Sequence, residues 1–151
     1  MGHSADGKEL VMPAVRRAAP KEIFTEREWA DLTRLSQWRG PALVVFGWAV
    51  VIGAGALFIA FPNPATYILA VMLIGARQLG FGILEHEAAH GTLHPNAKLN
   101  DWLAKWFCSA PIGTSLKRYR PYHLKHHKFT EQPEDPDLGL SAPFPITYAL
   151  W

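Results

Sequence analysis

The sequence predicts an all-α integral membrane protein: a transmembrane helical hairpin followed by a cytoplasmic, helical, histidine-rich cap. Three observations predict it. Residues 41–61 and 65–85 are long apolar runs separated only by a proline-rich turn. Six of the seven histidines follow the hairpin at spacings of three and four. Lysines and arginines flank the hairpin on both sides and are absent from its turn.

Composition agrees. Apolar residues make up 49% of the 151-residue chain and charged residues 19%, but the apolar ones concentrate in the middle, between water-facing flanks. The net charge of +2, with no basic stripe, argues against a nucleic-acid partner. A single cysteine, Cys108, excludes an internal disulfide framework and any CxxC site. Six tryptophans suit work at a lipid–water boundary. The first forty residues hold seven Lys/Arg and six Asp/Glu and no apolar h-region, so no cleavable signal peptide is expected. Arg16–Arg17 lacks an adjacent apolar run and does not read as a twin-arginine signal. Asp6 breaks the myristoylation pattern.

Residues 1–40 read as a cytoplasmic N-terminal arm. Within it, residues 22–38 are either an amphipathic helix or a solvated arm with a turn or two of helix. Thr25 and Glu28 have capping-box spacing, and Ile23, Trp29, Leu32 and Leu35 would line one face. Pro41 opens an uncharged run to Phe61, long enough for a hydrocarbon core of about 30 Å. FPNP, residues 61–64, is a turn. Residues 65–85, apolar as far as Leu84, form the second span and carry Arg77 and Gln78. A charge at that depth calls for an explanation: it either snorkels to the interface or faces a buried polar pocket. Seven Lys/Arg precede residue 41 and seven follow residue 85. The positive-inside rule therefore makes both flanks cytoplasmic, with Glu85 and His86 at the mouth of the second helix.

Residues 86–142 form the cytoplasmic histidine region. Asn96–Leu116 resembles an interfacial helix, with Trp102, Leu103, Trp106 and Phe107 on its apolar side and Lys98 and Lys105 for headgroups; the alternative is an ordinary core helix. Pro111 is expected to end it. Residues 132–145 read as a loop, and 146–151 as the start of a third membrane helix.

The histidines carry the chemistry. His86, His90 and His94 share a face if the helix continues to Pro95, and His123, His126 and His127 converge at i, i+3 and i+4. Two such faces brought together make a nitrogen-rich cage, and neutral imidazole suits iron, zinc and copper. His3 lies apart in the arm. HEAAH at 86–90 also fits the zinc-protease pattern, in which Glu87 is the general base. That reading leaves the second cluster without a task, since zinc needs only one further protein ligand. A noncatalytic metal-binding membrane protein is the third reading.

HEAAHGTLH (86–94), YRPYHLKHH (119–127) and KFTEQPEDPDL (128–138) together resemble the membrane fatty-acid desaturase and hydroxylase superfamily. The resemblance covers roughly residues 40–151. It implies that His86, His90, His123, His126 and His127 ligate iron in a two-iron centre and that Glu87 is a neighbour rather than a base. His94 falls outside the usual box. Asp135 and Asp137 either orient ligand imidazoles through their other ring nitrogen or simply solvate a loop. The implied activity is O₂-dependent oxidation of an unactivated C–H bond of a lipid acyl chain. It introduces a double bond, or a hydroxyl in the lipid or carotenoid hydroxylase alternative. The implied electron source is an external ferredoxin- or cytochrome-type donor. Lys117, Arg118, Arg120, Lys125 and Lys128 either dock such a donor or lipid headgroups, or reflect positive-inside bias alone. The superfamily has a third histidine box beyond a second pair of membrane helices, and this sequence ends before one. Since five or six imidazoles do not fill two iron shells, the chain is expected to be incomplete and, alone, inactive.

Overall fold

The computed structural model describes residues 18–141. Among them every regular element is helical, as the all-α expectation requires. The expectations for His3, Arg16–Arg17 and the membrane helix at 146–151 lie outside these residues. The chain divides into two units, at Arg34 and Leu35.

The first unit contains α1 (Pro20–Ile23) and α2 (Glu26–Leu32). The capping box is formed: Glu28 N–H donates to Thr25 Oγ1 at 3.3 Å, and Thr25 N–H to Glu28 Oε2 at 2.9 Å. The single amphipathic helix over 22–38 is not. Phe24 is extended and separates two short helices, and Ile23 and Leu32 stay 64% and 66% exposed. Trp29 stacks on Phe24 at 5.9 Å instead.

The second unit is built on α3 (Arg39–Ala60) and α4 (Pro64–Ala89), both long and apolar enough to cross a membrane. Only 17% and 11% of their most apolar stretches are buried. Most of their apolar surface is therefore left uncovered by the described residues. The turn is tied by Asn63, whose Oδ1 accepts from the N–H groups of Ala65 and Thr66 at 3.0 and 3.1 Å, with Pro64 pre-set in the first helical turn. Near the other end the helices approach closely. A Cβ on Gly47 would lie 2.8 Å from the Phe81 ring, and Trp48 packs on Phe81 at 5.4 Å.

The helix that contains the second apolar run extends beyond residue 85. α4 continues to Ala89, and the left-handed Gly91 (φ 75°) then turns the chain. Thr92 N–H bonds to Glu87 O and Gly91 N–H to Ala88 O, both at 3.0 Å, which is the Schellman closure. Helical phase is lost there, so His94 does not share a face with His86 and His90. Its Nδ1 accepts from Asn96 N–H instead.

Next comes α5 (Ala97–Leu103), which widens into a π-helical stretch (Ala104–Ser109) and tightens into a 3₁₀ turn (Ala110–Ile112). Pro111 lies inside that turn, and the left-handed Gly113 ends the ribbon rather than Pro111. Trp102 and Trp106 are half exposed. Trp48 of α3 donates its indole N–H to Phe107 O at 3.1 Å and so fastens the ribbon to the hairpin. α6 (Leu116–Phe129) carries the second histidine group, and α7 (Leu138–Ser141) forms where the sequence suggested only loop. The core joins α3, α4, the π stretch and α6 through Val44, Phe81, Leu84, Ala88, Ala104, Cys108 and Leu116.

Candidate metal centre

Two helix ends make the site. The last turn of α4 presents His86 and His90, four residues apart on one face, and α6 presents His123 and His127 with the same spacing. The ligand atoms of these four lie within 4.8 Å of one another. His123 is at the centre: its Nε2 is 2.9 Å from His90 Nε2 and 3.0 Å from His127 Nε2. Tyr119, one turn earlier, stacks on the His123 ring at 5.0 Å and closes one side.

Burial, then the neighbouring imidazoles, push His123 down to about 4. Burial and the same neighbours lower His90 as well. The lone pairs of His90 and His123 are therefore available at neutral pH, and a set of convergent imidazole nitrogens fits a borderline transition-metal ion such as iron, zinc or copper.

His126 is placed differently. It is not among the four; its ring centre is 6.4 Å from that of His123. Its Nδ1 lies 2.8 Å from Asp135 Oδ1 and 3.2 Å from Asp137 Oδ2. The hydrogen bond to Asp135 raises its pKa. Asp135 is itself held by the N–H groups of Glu131 and Asp137 at 3.0 and 2.9 Å, and Tyr122 donates to Asp137. The two aspartates thus orient an imidazole rather than merely solvating a loop, and His126 Nε2 is the nitrogen left for a ligand role. Glu87 behaves likewise on the other helix. Its Oε1 is 3.2 Å from His86 Nδ1, and its Oε2 accepts from Thr92 Oγ1 at 2.8 Å.

A buried polar joint, which the motif reading missed, holds the two helix ends together. Asn100, 1% exposed, donates Nδ2–H to Ala88 O at 3.0 Å and accepts from Leu93 and His94 N–H. Arg120 donates to Ala88 O at 2.8 Å, to Ala89 O at 3.1 Å, and through two nitrogens to Asp101. Ala88 O, already bonded to Gly91 N–H, thus gains two further donors, and Arg120 supplies one to the Ala89 carbonyl at the end of α4. Arg120 therefore faces inward and is not one of the docking cations proposed from its position beside the box. Glu85, 3% exposed, accepts from Thr114 Oγ1 at 2.6 Å and ties α4 to the start of the α6 segment. An asparagine and an aspartate beside two tryptophans were the available sequence signal.

Among the described residues, an all-α fold with two helices long and apolar enough to span a membrane and a histidine cluster across two helix ends defines the class: a helical protein of membrane type with a nitrogen-rich cluster able to hold a metal ion. Residues 62–151 match the fatty acid desaturase family, and the chain belongs to that family. Over 74 residues, 48% of the chain, it is 43% identical to dihydrorhizobitoxine desaturase of Bradyrhizobium elkanii. The matched segment spans 21% of that protein's length. No solved structure matches the chain. Family and helices together make this a membrane protein of a metal-dependent oxidoreductase family.

Proposed function

We propose that this chain forms part of an O₂-dependent acyl-lipid desaturase whose two-iron centre takes His86, His90, His123, His126 and His127 as ligands. The observation that carries this reading is the convergence of His86, His90, His123 and His127 within 4.8 Å. Iron would supply activation of O₂ and hydrogen removal from an unactivated C–H bond, a reaction beyond any side chain.

The residues of the chain do the rest. Glu87 holds Nδ1 of His86, and Asp135 with Asp137 holds Nδ1 of His126, so that in each ring Nε2 is the nitrogen presented. Asn100 and Arg120 keep the end of α4 against α6. In this reading the hairpin crosses the bilayer with both flanks cytoplasmic. A lipid tail then arrives from the membrane side, and electrons come from an external ferredoxin- or cytochrome-type donor. Glu87 is engaged by His86 and Thr92, which suits an orienting group better than the general base of a zinc protease.

The test uses the complete protein that contains this chain, expressed in a host membrane with a reduced ferredoxin-type donor and O₂. A lipid product lighter by two hydrogens, lost in His123→Ala, is expected. A product heavier by one oxygen would replace the desaturase by its hydroxylase relative. Bound zinc with peptide cleavage and no lipid product would sink both.

A further inference from the structure

His123 is the ring through which the imidazole cluster meets. The ring centres of His86, His90 and His127 lie 4.4, 4.9 and 4.5 Å from its own, each approaching edge-on, at 65°, 79° and 80°. It is also more enclosed than those three, at 8% exposed. Its orientation is supplied differently from that of its neighbours. Glu87 reaches Nδ1 of His86, and Asp135 reaches Nδ1 of His126. At His123 the partner is a ring face: Tyr119 lies 5.0 Å away at 14°, stacked rather than edge-on.

Stacking suits a buried imidazole. A carboxylate brought to this place would have to shed its water, whereas an aromatic face adds apolar contact and is favourable in an offset stack at this centre distance. The two side chains are four residues apart on α6 and share a face. Tyr119 is itself anchored. It packs against the apolar core, its N–H donates to Ser115 O at 2.8 Å, and Thr114, beside Ser115, is tied to Glu85. Pro121 stands between Tyr119 and His123 in the helix. It has no N–H to return to the carbonyl one turn earlier, so α6 is weakened where it must carry His123. The stack spans that step.

We propose that Tyr119 is a positioning residue for the metal centre: its ring face, not its hydroxyl, holds the plane of the His123 imidazole and so aims Nε2. An imidazole donates through a lone pair that lies in its ring plane, so the plane sets the direction of donation. The terminal torsion of a histidine is intrinsically broad, and a neighbour must therefore fix it. Rotation about the His123 Cβ–Cγ bond would drive the ring edge into the Tyr119 face. Held flat against Tyr119, Nε2 stands 2.9 and 3.0 Å from Nε2 of His90 and His127. The inference rests on the reading of His123 as a metal ligand.

The test strips the full-length protein of metal in mild detergent and titrates it with cobalt(II), whose ligand-field absorption reports both binding and geometry. Thermal unfolding of the metal-free form is followed alongside. Tyr119→Leu is expected to weaken cobalt binding about tenfold or more, the usual effect of losing a group that orients a ligand, and to shift the cobalt band. Tyr119→Met, which fills the space without a flat ring, is expected to do the same and decides the matter if Tyr119→Leu does not fold. Tyr119→Phe keeps the face and is expected to match the wild type. Leu116→Ala, 6% exposed on the same helix, is expected to lower the melting temperature of the metal-free protein while leaving cobalt affinity and band in place. Wild-type affinity and band in Tyr119→Leu overturn the proposal. So does a Tyr119→Phe as weak as Tyr119→Leu, which gives the role to the hydroxyl, or an equal loss in Leu116→Ala, which reduces Tyr119 to core packing. A wild type that takes up no cobalt ends the metal reading and this inference together, whereas binding that Tyr119→Leu retains ends this inference alone.

Discussion

Arg120 of α6 closes on Asp101 of α5 with two nitrogens, and the same guanidinium caps the carbonyls of Ala88 and Ala89 at the end of α4. One side chain, three residues before His123, thus sets the distance between the two histidine pairs. Arg120→Lys keeps the charge but cannot make the forked contact. It is expected to lower stability by about 2 kcal/mol, in the range for hydrogen bonds to charged groups, and to weaken metal binding. Thermal unfolding and metal titration of the full-length protein check both effects.

That joint also carries a pH dependence. The hydrogen bonds from Arg120 hold the Asp101 carboxyl below its ordinary range; burial opposes this and Asn100 adds to it. A depressed folded pKa stabilises above the unfolded value, about 4, and the stabilisation is lost as pH falls through the folded value. The melting temperature is expected to fall more steeply below about pH 4 in the wild type than in Asp101→Asn. Parallel curves would remove Asp101 from this role.

Asp135→Asn takes a charged acceptor from His126 Nδ1. If His126 is a ligand, metal affinity is expected to drop by about 10–100-fold, the usual effect of losing a group that orients a ligand. Metal content after dialysis against graded chelator measures it. An unchanged affinity would take His126 out of the ligand set.

His94 lies off the cluster, bonded to its own loop. His94→Ala is expected to leave metal stoichiometry unchanged, while His123→Ala, at the centre of the imidazole contacts, abolishes it. Metal analysis of the two purified variants separates them.

Two glycines in one helix make a packing test. A Cβ on Gly40 would fall 1.9 Å from Leu93 O, whereas one on Gly53 meets nothing within 4 Å. Gly40→Ala is expected to destabilise by about 1–3 kcal/mol through overpacking. Gly53→Ala is expected to stabilise by up to about 1 kcal/mol from helix entropy. Unfolding in detergent reads both.

Local pattern by itself determined the hairpin, its FPNP turn and the Thr25–Glu28 cap, because each depends on a few neighbouring residues. It also identified the histidine pairs 86/90 and 123/127, since i, i+4 spacing on a helix places them on one face wherever the helix lies. Only the tertiary structure decided that α4 runs through His86 to Ala89 and that Gly91 then removes His94 from the face. Only it separated His126 from the four converging rings and turned it toward Asp135, nine residues on. It also turned Arg120 from a surface cation into an internal clamp. The physical reason is the same throughout: a helix end is settled by which groups satisfy its last carbonyls. Here the backbone N–H groups of Gly91 and Thr92 close the last turn locally, and Asn100 and Arg120 join them from α5 and α6, distant in sequence and adjacent only once the helices pack.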